Sequence, residues 1–432
     1  MILATPSCRA ATRIITRDAC KRLSSSYRTV KEFDVLFLRQ QGVKFPKWHL
    51  TAPIRRDTRV RLSYGASVSA SDLIGKHILE RTVDDKGNAV AIYEPTLASY
   101  IVNSDRVATP IYPSDAATIV SLLDLHPVRP GEEETDNDDG KPDDGPFEVF
   151  EAGTGMGSLS LHIARALHAA NPPVPAPVRH MLRAAPLARN VDASAGGMLE
   201  LSADEAAQLA AYKASRRAVL KTLDRSGKHT RAAYKLVRGF RRAQYLADVD
   251  FHVGAVGDYV AARLAASGGR PVFARAVLDL PAAHEHTGGA AGALVPALHD
   301  NAVLVLFYPS ISQVAEFQAW ALESGAPLQL EKVLEMPTTS TADGVRDGGC
   351  GGRHWDVKII KPKPAPAEEE KGAAEYTACN GPGTETEPVV VMRPKVGGRV
   401  AGGGFVAVYR KWPAGTNQQQ PEEPDADSEV EA

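Results

Sequence analysis

The chain is poor in cysteine and contains no long apolar run. Its 432 residues include only four cysteines, and no two of them have the Cys-x-x-Cys spacing of a redox or zinc motif. We therefore expect no disulfide framework and no bound metal. No apolar stretch approaches the roughly 20 residues that a membrane-spanning helix needs, so we expect a soluble protein without a membrane segment.

Net charge is also small, but the charges are unevenly distributed. The formal charge of −2 and the hydrophobic fraction of 44% exclude a uniformly basic or a wholly disordered chain. Residues 1–31 carry seven cations against one acid, with three consecutive serines. This composition is typical of a mitochondrial presequence, and a frayed basic tail is the alternative. We expect a mitochondrial location, with the nucleus as the alternative, and leave this segment out of the fold.

Low-complexity segments interrupt the remaining chain. We interpret them as insertions and a tail, because their composition cannot bury enough apolar surface to offset the entropy of ordering. They are the acidic segment 131–145, the proline-rich segment 171–212, the segment 337–390 and the acidic tail 413–432. Their removal leaves an N-terminal domain of short β-type runs over 32–108 and a larger domain over 109–412.

Strand and helix patterns alternate in the larger domain, which predicts a parallel sheet covered by helices on both faces. The predicted strands are 147–151, 218–223, 249–254, 272–280 and 302–308, and the predicted helices are 158–170, 228–240, 257–266 and 311–323. Two further strands, 330–336 and 405–412, follow without a clear helix between them. They predict an antiparallel hairpin at one sheet edge, so that the last strand runs in reverse.

A glycine-rich loop, EAGTGMGSL over 151–159, joins the first of these strands to its helix. Its glycines allow a tight turn and the close approach of a ligand. A dinucleotide fingerprint would need glycine at 158, where the chain has serine, and Glu151 at the strand tip would repel a pyrophosphate. The loop therefore predicts S-adenosylmethionine (SAM), with a nucleotide cofactor or a purely structural turn as alternatives. The candidate cofactor residues are Glu151, Gly153, Thr154, Gly155, Gly157, Ser158 and Leu159.

Two further acids end neighbouring strands at the sheet edge where open α/β folds bind ligands. Asp224 is a candidate for the ribose hydroxyls, or else a helix cap. Asp279, in the run VLDLP, could accept a hydrogen bond from the amino group of a base whose ring nitrogen is methylated, or else be a turn residue. Asp258 is an uncertain candidate for the adenine of the cofactor.

A basic stretch over 213–242 contains eleven cations and one acid. We interpret it as a surface for RNA phosphates, and the alternative is a helix balanced by the acidic insertions. The candidate RNA-binding residues are Arg225, Lys228, Arg231, Lys235, Arg238, Arg241 and Arg242.

Seven segments in sequence order carry a family resemblance. They are TPIYPSDA (109–116), LLDL (122–125), EAGTGMGSLSL (151–161), VDFHVG (249–254), VLDLP (277–281), YPSISQV (308–314) and GGGFVAV (402–408). Together they resemble the catalytic subunit of the tRNA (adenine-58, N1) methyltransferases, in a fungal, mitochondrially targeted form. Met156 departs from the small residue usual in that family, and Asp224 replaces the commoner Glu.

The resemblance implies a Rossmann-like class I SAM-dependent methyltransferase fold with an antiparallel last strand, plus a small N-terminal all-β domain. It implies methylation of N1 of adenosine-58 in the tRNA T-loop, with Asp279 as the catalytic aspartate and Tyr112 near the cofactor and the base. It also implies a homotetramer, or a heterotetramer with a non-catalytic paralogous subunit. The alternatives are that non-catalytic tRNA-binding subunit itself, or a SAM methyltransferase acting on another RNA or a small molecule.

Overall fold

The structure is a computed structural model. It describes residues 28–128, 145–188, 197–281, 283–284, 294–337, 339–341, 355–360, 389–394, 399–401, 403–413 and 415. The predicted presequence up to residue 27, the acidic segment from 131 to 144, most of 337–390 and the acidic tail beyond 415 lie outside the described residues. The predictions made for these segments concern residues that the structure does not describe.

The N-terminal domain consists of short antiparallel strands with two short helices that the all-β prediction lacked. Its four-stranded sheet has the order β2-β1-β6-β5, and β3 pairs with β4 as a separate hairpin. The strands are β1 (Phe37–Gln40), β2 (Trp48–Leu50), β3 (Arg59–Arg61), β4 (Ser67–Ser69), β5 (Arg81–Val83) and β6 (Ala89–Tyr93), and the helices are α1 (Ala70–Leu73) and α2 (Leu97–Asn103).

This domain begins earlier than the sequence predicted. Val30 is buried in its core, and Thr29 forms a β-bridge with His77. The Arg28 guanidinium lies 2.9 Å from the carboxylate of Asp34, which is fully buried. Residues 28–31 are therefore part of the fold, and the boundary at 31 placed the end of the N-terminal tail too late.

Among the described residues, seven strands form the central sheet of the larger domain. In spatial order they are β12 (Leu328–Met336), β17 (Gly404–Lys411), β11 (Leu298–Tyr308), β10 (Phe273–Leu278), β7 (Phe147–Ala152), β8 (Ala218–Asp224) and β9 (Val249–Val253). Strand β17 is antiparallel to both of its neighbours, and the pairs from β11 to β9 are parallel. The predicted sheet with a reversed last strand is confirmed.

Two further strand pairs lie within or beside the segment predicted as the insertion 337–390. Strand β13 (Thr339–Thr341) pairs with β16 (Arg399–Ala401), and β14 (Trp355–Ile360) pairs with β15 (Val389–Pro394), both antiparallel. The described part of this segment therefore contains regular backbone pairing, which its composition did not predict.

Helices cover both faces of the sheet because successive strand residues point to opposite sides. Val149 and Val277 belong to one apolar cluster, whereas Phe150 and Leu278, one residue further on, belong to the other. The helices are α3 (Pro113–Leu122), α4 (Ser158–Leu167), α5 (Ala176–Ala184), α6 (Ala203–Ala214), α7 (Gly227–Gly239), α8 (Val256–Ala266), α9 (Leu294–Ala297) and α10 (Ile311–Glu323), with 3₁₀ turns at His168–Ala170 and Leu246–Asp248.

The segment 171–212 is folded where it is described, contrary to its prediction as a coreless insertion. Helix α5 buries Val178, Met181 and Leu182, spaced at i, i+3 and i+4, and Val178 and Leu182 belong to the same apolar cluster as residues of β7. Pro177 lies in the first turn of α5, where a missing N–H costs no hydrogen bond. The proline-rich opening that indicated disorder is therefore the start of a helix.

Polar and charged contacts hold the N-terminal domain against the end of α7. The Tyr100 hydroxyl donates to the carbonyl of Leu236 at 2.7 Å, and Arg242 lies 3.4 Å from the Asp34 carboxylate. Arg241, Arg242 and Ala243 have φ of 45°, 57° and 59°. This left-handed conformation costs about 1–2 kcal/mol per residue, so these contacts stabilise a backbone that local preferences oppose.

Candidate active site

The glycine-rich loop leaves β7 and turns directly into α4. Gly153, Gly155 and Gly157 have φ of +96°, +53° and +88°, in the region that residues with a Cβ rarely adopt. The Gly157 N–H donates to the carbonyl of Thr154 at 2.8 Å and closes the turn. The backbone therefore requires all three glycines that the sequence singled out.

Two of these glycines also permit close packing. A Cβ on Gly153 would lie 2.3 Å from the backbone oxygen of Asp279, and one on Gly157 would lie 2.8 Å from the Cβ of Ala233 in α7. At Gly155 the nearest atom would be the Cβ of Ala108, at 3.8 Å. The loop is thus pressed against the end of β10 and against α7, and Gly155 leaves room for a ligand.

Asp224 and Asp279 lie at this loop, as predicted from their positions at strand ends. The Asp224 carboxylate accepts hydrogen bonds from the N–H of Gly155 at 2.9 Å and of Ser226 at 2.8 Å. The Asp279 carboxyl group has no hydrogen-bond partner among the described residues, while its backbone N–H donates to Ala152 at 2.9 Å. Burial and the charge of Asp224 raise the pKa of Asp279 to about 6.

Glu151 lies beneath the loop rather than beside it. Its side chain is buried, and its carboxylate accepts a hydrogen bond from Ser160 at 2.5 Å, while Thr222 lies opposite it on the neighbouring strand. Burial raises its pKa to about 7, and the charges of Asp279 and Asp224 add to this effect. Three carboxyl groups that repel one another therefore converge on the loop, an arrangement that a cationic ligand would relieve.

The remaining predicted loop residues position the backbone. The Thr154 hydroxyl is buried and lies 2.6 Å from that of Thr222, and Leu159 belongs to the core. The Ser158 hydroxyl donates to the carbonyl of Ile111 at 2.5 Å. Met156, the departure from the family pattern, is also buried in the core. Their side chains anchor the loop, so only their backbone is available to a ligand.

The segment that leads into Tyr112 contacts the loop, whereas Asp258 lies exposed on α8. The bond from Ser158 to Ile111 holds the segment before Tyr112 alongside the loop, and Tyr112 itself precedes the first turn of α3. The guanidinium carbon of Arg106 lies 5.9 Å from the centre of the Tyr112 ring. Asp258 is exposed in the first turn of α8 and contacts none of the three carboxyl groups.

Ser160, Thr222 and Asp115 were missed by sequence reasoning. Thr222 could have been found, because it lies opposite Glu151 in the register of β7 and β8. Ser160 follows the motif by one residue on the buried face of α4. Asp115 is a buried carboxyl group in the first turn of α3, and burial raises its pKa to about 6. It lies within the segment TPIYPSDA (109–116), but that segment gave no signal that this carboxyl group is buried.

The predicted RNA-binding residues fall into two groups. Arg225, Lys228 and Lys235 are exposed and form no ion pair or side-chain hydrogen bond with a described residue. The other four are engaged: Arg231 with the Ala188 carbonyl, Arg238 with the carbonyls of Leu182, Arg183 and Ala185, Arg241 with Glu94, and Arg242 with Asp34.

Three cations of the basic stretch form ion pairs with one largely buried carboxylate, that of Asp250. Lys213, Arg216 and Lys221 lie 2.8, 2.7 and 2.9 Å from the carboxylate of Asp250. Burial opposes ionisation of Asp250, but these three cations hold its pKa below the ordinary range. These three side chains are therefore engaged within the fold, and one of their three positive charges is balanced by Asp250.

The described residues also bear on metal binding and on membrane insertion. No three His, Cys, Asp or Glu side chains among the described residues are grouped so that they could hold a metal ion. No helix in the described ranges is both long and apolar enough to cross a bilayer.

The reversed strand β17, the glycine loop after β7 and the acids at the carboxyl ends of β8 and β10 define the class. This is the fold of the class I SAM-dependent methyltransferases. A SAM-dependent O-methyltransferase from Thermotoga maritima superposes with a TM-score of 0.50 at 14% identity, over 90% of this chain and 97% of that one. The carboxyl group of Asp279, which has no hydrogen-bond partner among the described residues, fits the positively charged SAM.

The particular relatives are tRNA methyltransferases. The chain is 25% identical over 273 residues to the tRNA (adenine(58)-N(1))-methyltransferase TrmI of one Thermus thermophilus strain, covering 63% of this chain and 70% of the relative. TrmI of a second strain of the same organism gives the same values. The tRNA (m1A58) methyltransferase TrmI of Aquifex aeolicus has a TM-score of 0.46 at 12% identity, over 89% and 100% of the two chains. No protein-family model matches the chain.

Proposed function

We propose that this protein is a SAM-dependent tRNA methyltransferase that methylates N1 of adenosine-58 in the T-loop. The observation that carries the proposal is the carboxyl group of Asp279, which lacks a partner among the described residues and lies at the end of β10 against the glycine loop. The named activity of the Thermus relatives and the ordered family segments support the same substrate.

The cofactor would be held by the backbone of the loop and by acids at its rim. Gly155 is the least crowded of the three loop glycines, and Asp224, already bonded to the Gly155 N–H, is placed to accept hydrogen bonds from ribose hydroxyls. When bound, SAM supplies an activated methyl group on a sulfonium. Asp224 and Asp279 contribute negative charge around that cation, and no described lysine or arginine forms an ion pair with either group.

Asp279 would act on the base. Adenine N1 already has a lone pair, so its methylation needs alignment rather than a strong base. The methylated ring is positively charged, and a partly buried carboxylate stabilises charge that develops there more strongly than one in water. Asp279 would also accept a hydrogen bond from the exocyclic amino group, with Tyr112 beside the same loop. The target base is extruded from the folded tRNA to reach this site.

Two alternative functions have less support from the observations. A non-catalytic partner subunit has no need of the glycine loop or of Asp279, and both are intact and packed together here. A methyltransferase for a small molecule would leave the exposed cations Arg225, Lys228 and Lys235 without a role. Mitochondrial import and assembly as a homotetramer, or as a heterotetramer with a paralogous subunit, belong to the proposal as predictions from the sequence.

Incubation with methyl-labelled SAM and a tRNA transcript tests the proposed reaction. We expect 1-methyladenosine in the nucleoside digest, measured by mass spectrometry, and none from a matched transcript that carries guanosine at position 58. Label in another nucleoside would point to a different RNA site. Absence of label, with SAM binding intact, would favour the non-catalytic partner subunit.

The affinity for SAM is expected to rise with pH between 5 and 7. Asp279 and Glu151 titrate at about 6 and about 7 in the free protein, and a cationic ligand binds better once they are ionised. Because their folded pKa values are raised, the free protein instead loses stability as the pH rises through this range. This range of pH 5 to 7 lies below the pKa of an α-amino group, which is about 7.7–8.0. The amino group of SAM therefore stays protonated over the range.

Titration calorimetry at pH 5, 6 and 7 measures this dependence. In an Asp279→Asn variant the portion of the dependence near pH 6 should disappear while the portion near 7 remains. An affinity that is flat or falling over this range would contradict the electrostatic account of the site.

A further inference from the structure

A cleft of about 730 Å³ lies between the N-terminal domain and helix α7, and it is open to solvent. Met156 of the cofactor loop is among its lining residues. The opposite walls come from the N-terminal domain and from the segment after α5. We call this space the interdomain cleft. The lining of the interdomain cleft therefore combines three segments that are far apart in the sequence, beside the candidate active site.

The charge of the interdomain cleft is strongly positive. Asp105 is the acidic residue among its described lining residues, against seven cations: Arg55, Arg183, Lys228, Arg231, Lys235, Arg238 and Arg242. Burial lowers the pKa of Arg183, and the nearby Arg242 and Arg179 lower it further. Burial and Arg55 lower the pKa of Arg238. These guanidinium groups repel one another, and a polyanion in the cleft would relieve that repulsion.

The seven cations divide by what their side chains already bind. Arg238 donates to a backbone carbonyl in the last turn of α5, Arg231 donates to the Ala188 carbonyl after that helix, and Arg242 lies 3.4 Å from the Asp34 carboxylate. These three hold the walls together and are positioning residues. Their engagement removes them as principal contacts for a ligand.

The other four cations remain available. Lys228 and Lys235 are exposed on α7 and have no ion-pair partner among the described residues. Arg183 donates its Nε to the Arg242 carbonyl at 2.8 Å, and its terminal nitrogens have no described partner. Arg55 is exposed, with its guanidinium 5.7 Å from the centre of the Phe33 ring. Four free charges from three chain segments therefore converge on one cleft.

The lining also contains apolar surface between these charges. Phe33, Leu50, Pro53 and Leu187 line the cleft together with the cations. A groove that combines positive charge with apolar and aromatic side chains is typical of sites that follow a single nucleic-acid strand. A small phosphate compound would not need four charges distributed over three walls. The arrangement therefore favours a continuous strand as the occupant.

We propose that the interdomain cleft binds the sugar–phosphate backbone of the RNA strand next to the target nucleoside, with Arg55, Arg183, Lys228 and Lys235 as phosphate contacts. This rests on the proposed function as an RNA methyltransferase and deepens it. The contacts Arg55 and Arg183 lie outside the basic stretch that the sequence indicated. Because Met156 is among the lining residues, a strand in the cleft would pass the cofactor loop, where an extruded base would enter.

Charge-removing variants of these contacts test this proposal. Arg55→Met, Arg183→Met and Lys235→Met keep most of the side-chain length and remove one charge each. Fluorescence anisotropy with tRNA at several salt concentrations should show that each variant lowers the slope of log affinity against log salt by about 0.7, the value for one single-strand phosphate contact. SAM affinity should stay at the wild-type value.

Two comparisons separate binding from folding. Lys332→Met, at an exposed site on β12 away from the cleft, should leave the salt slope unchanged. Arg238→Met should lower the melting temperature, because three carbonyl groups lose their donor. Wild-type slopes in Arg55→Met and Lys235→Met would overturn the proposal even if adenosine-58 is methylated. Absence of tRNA methylation by the wild-type protein would instead overturn the proposed function.

Discussion

Replacing Gly153 with alanine is expected to weaken SAM binding on the order of 100-fold. The new Cβ would lie 2.3 Å from the backbone oxygen of Asp279, so the loop and the end of β10 must separate. Overpacking of this kind costs about 1–3 kcal/mol, and the left-handed φ adds about 1–2 kcal/mol. Because each 1.4 kcal/mol is about tenfold in affinity, the loss is large. Titration calorimetry with SAM measures it.

Gly75→Ala provides a matched control for this change. Gly75 has φ +94°, close to the +96° of Gly153, but a Cβ there would meet nothing within 4 Å. It therefore carries the backbone cost without the clash, and it lies in the N-terminal domain. We expect wild-type SAM affinity in this variant. Equal affinities in the two variants would show that contact with Asp279 does not shape the cofactor loop.

Asp279→Asn is expected to slow methyl transfer to tRNA by about 10²–10³-fold, the range found when one stabilising group is removed from a transition state. The amide keeps the size of the side chain but removes the charge that faces the methylated base. At pH 7.5 the wild-type group is ionised, since its pKa is about 6. Single-turnover rates with saturating SAM measure the chemical step separately from cofactor binding.

Asp204→Asn is the control for this substitution, because Asp204 is exposed at the start of α6. It should transfer methyl groups at the wild-type rate. A wild-type rate in Asp279→Asn would remove this residue from the catalytic role and leave the proposed chemistry without its main group. A rate loss that saturating SAM restores would assign Asp279 to cofactor binding alone.

Local patterns were sufficient to predict the sheet and its glycine loop. The continuous apolar run in β11 is typical of a strand buried on both faces, and the apolar spacing after Ser158 follows the 3.6-residue repeat of a helix, so neighbouring residues determine both. Asp224 and Asp279 could be assigned to one edge because parallel strands end on the same side of a sheet. Glu151 also lies near the carboxyl end of its strand. Its side chain, however, is buried next to Ser160 and Thr222, and the position at a strand end does not predict that burial.

The amino-acid sequence by itself determined the seven strands of the central sheet, the glycine loop and the acids beside it, because each of these depends on residues close together in the chain. The tertiary structure alone decided the roles of the basic residues. Arg238 donates to Leu182, 56 residues away, whereas Lys235 on the same helix has no partner among the described residues. It also decided that α5 folds and brings Arg183 to the interdomain cleft. Such contacts join distant segments, and no local pattern encodes which cation will meet a partner.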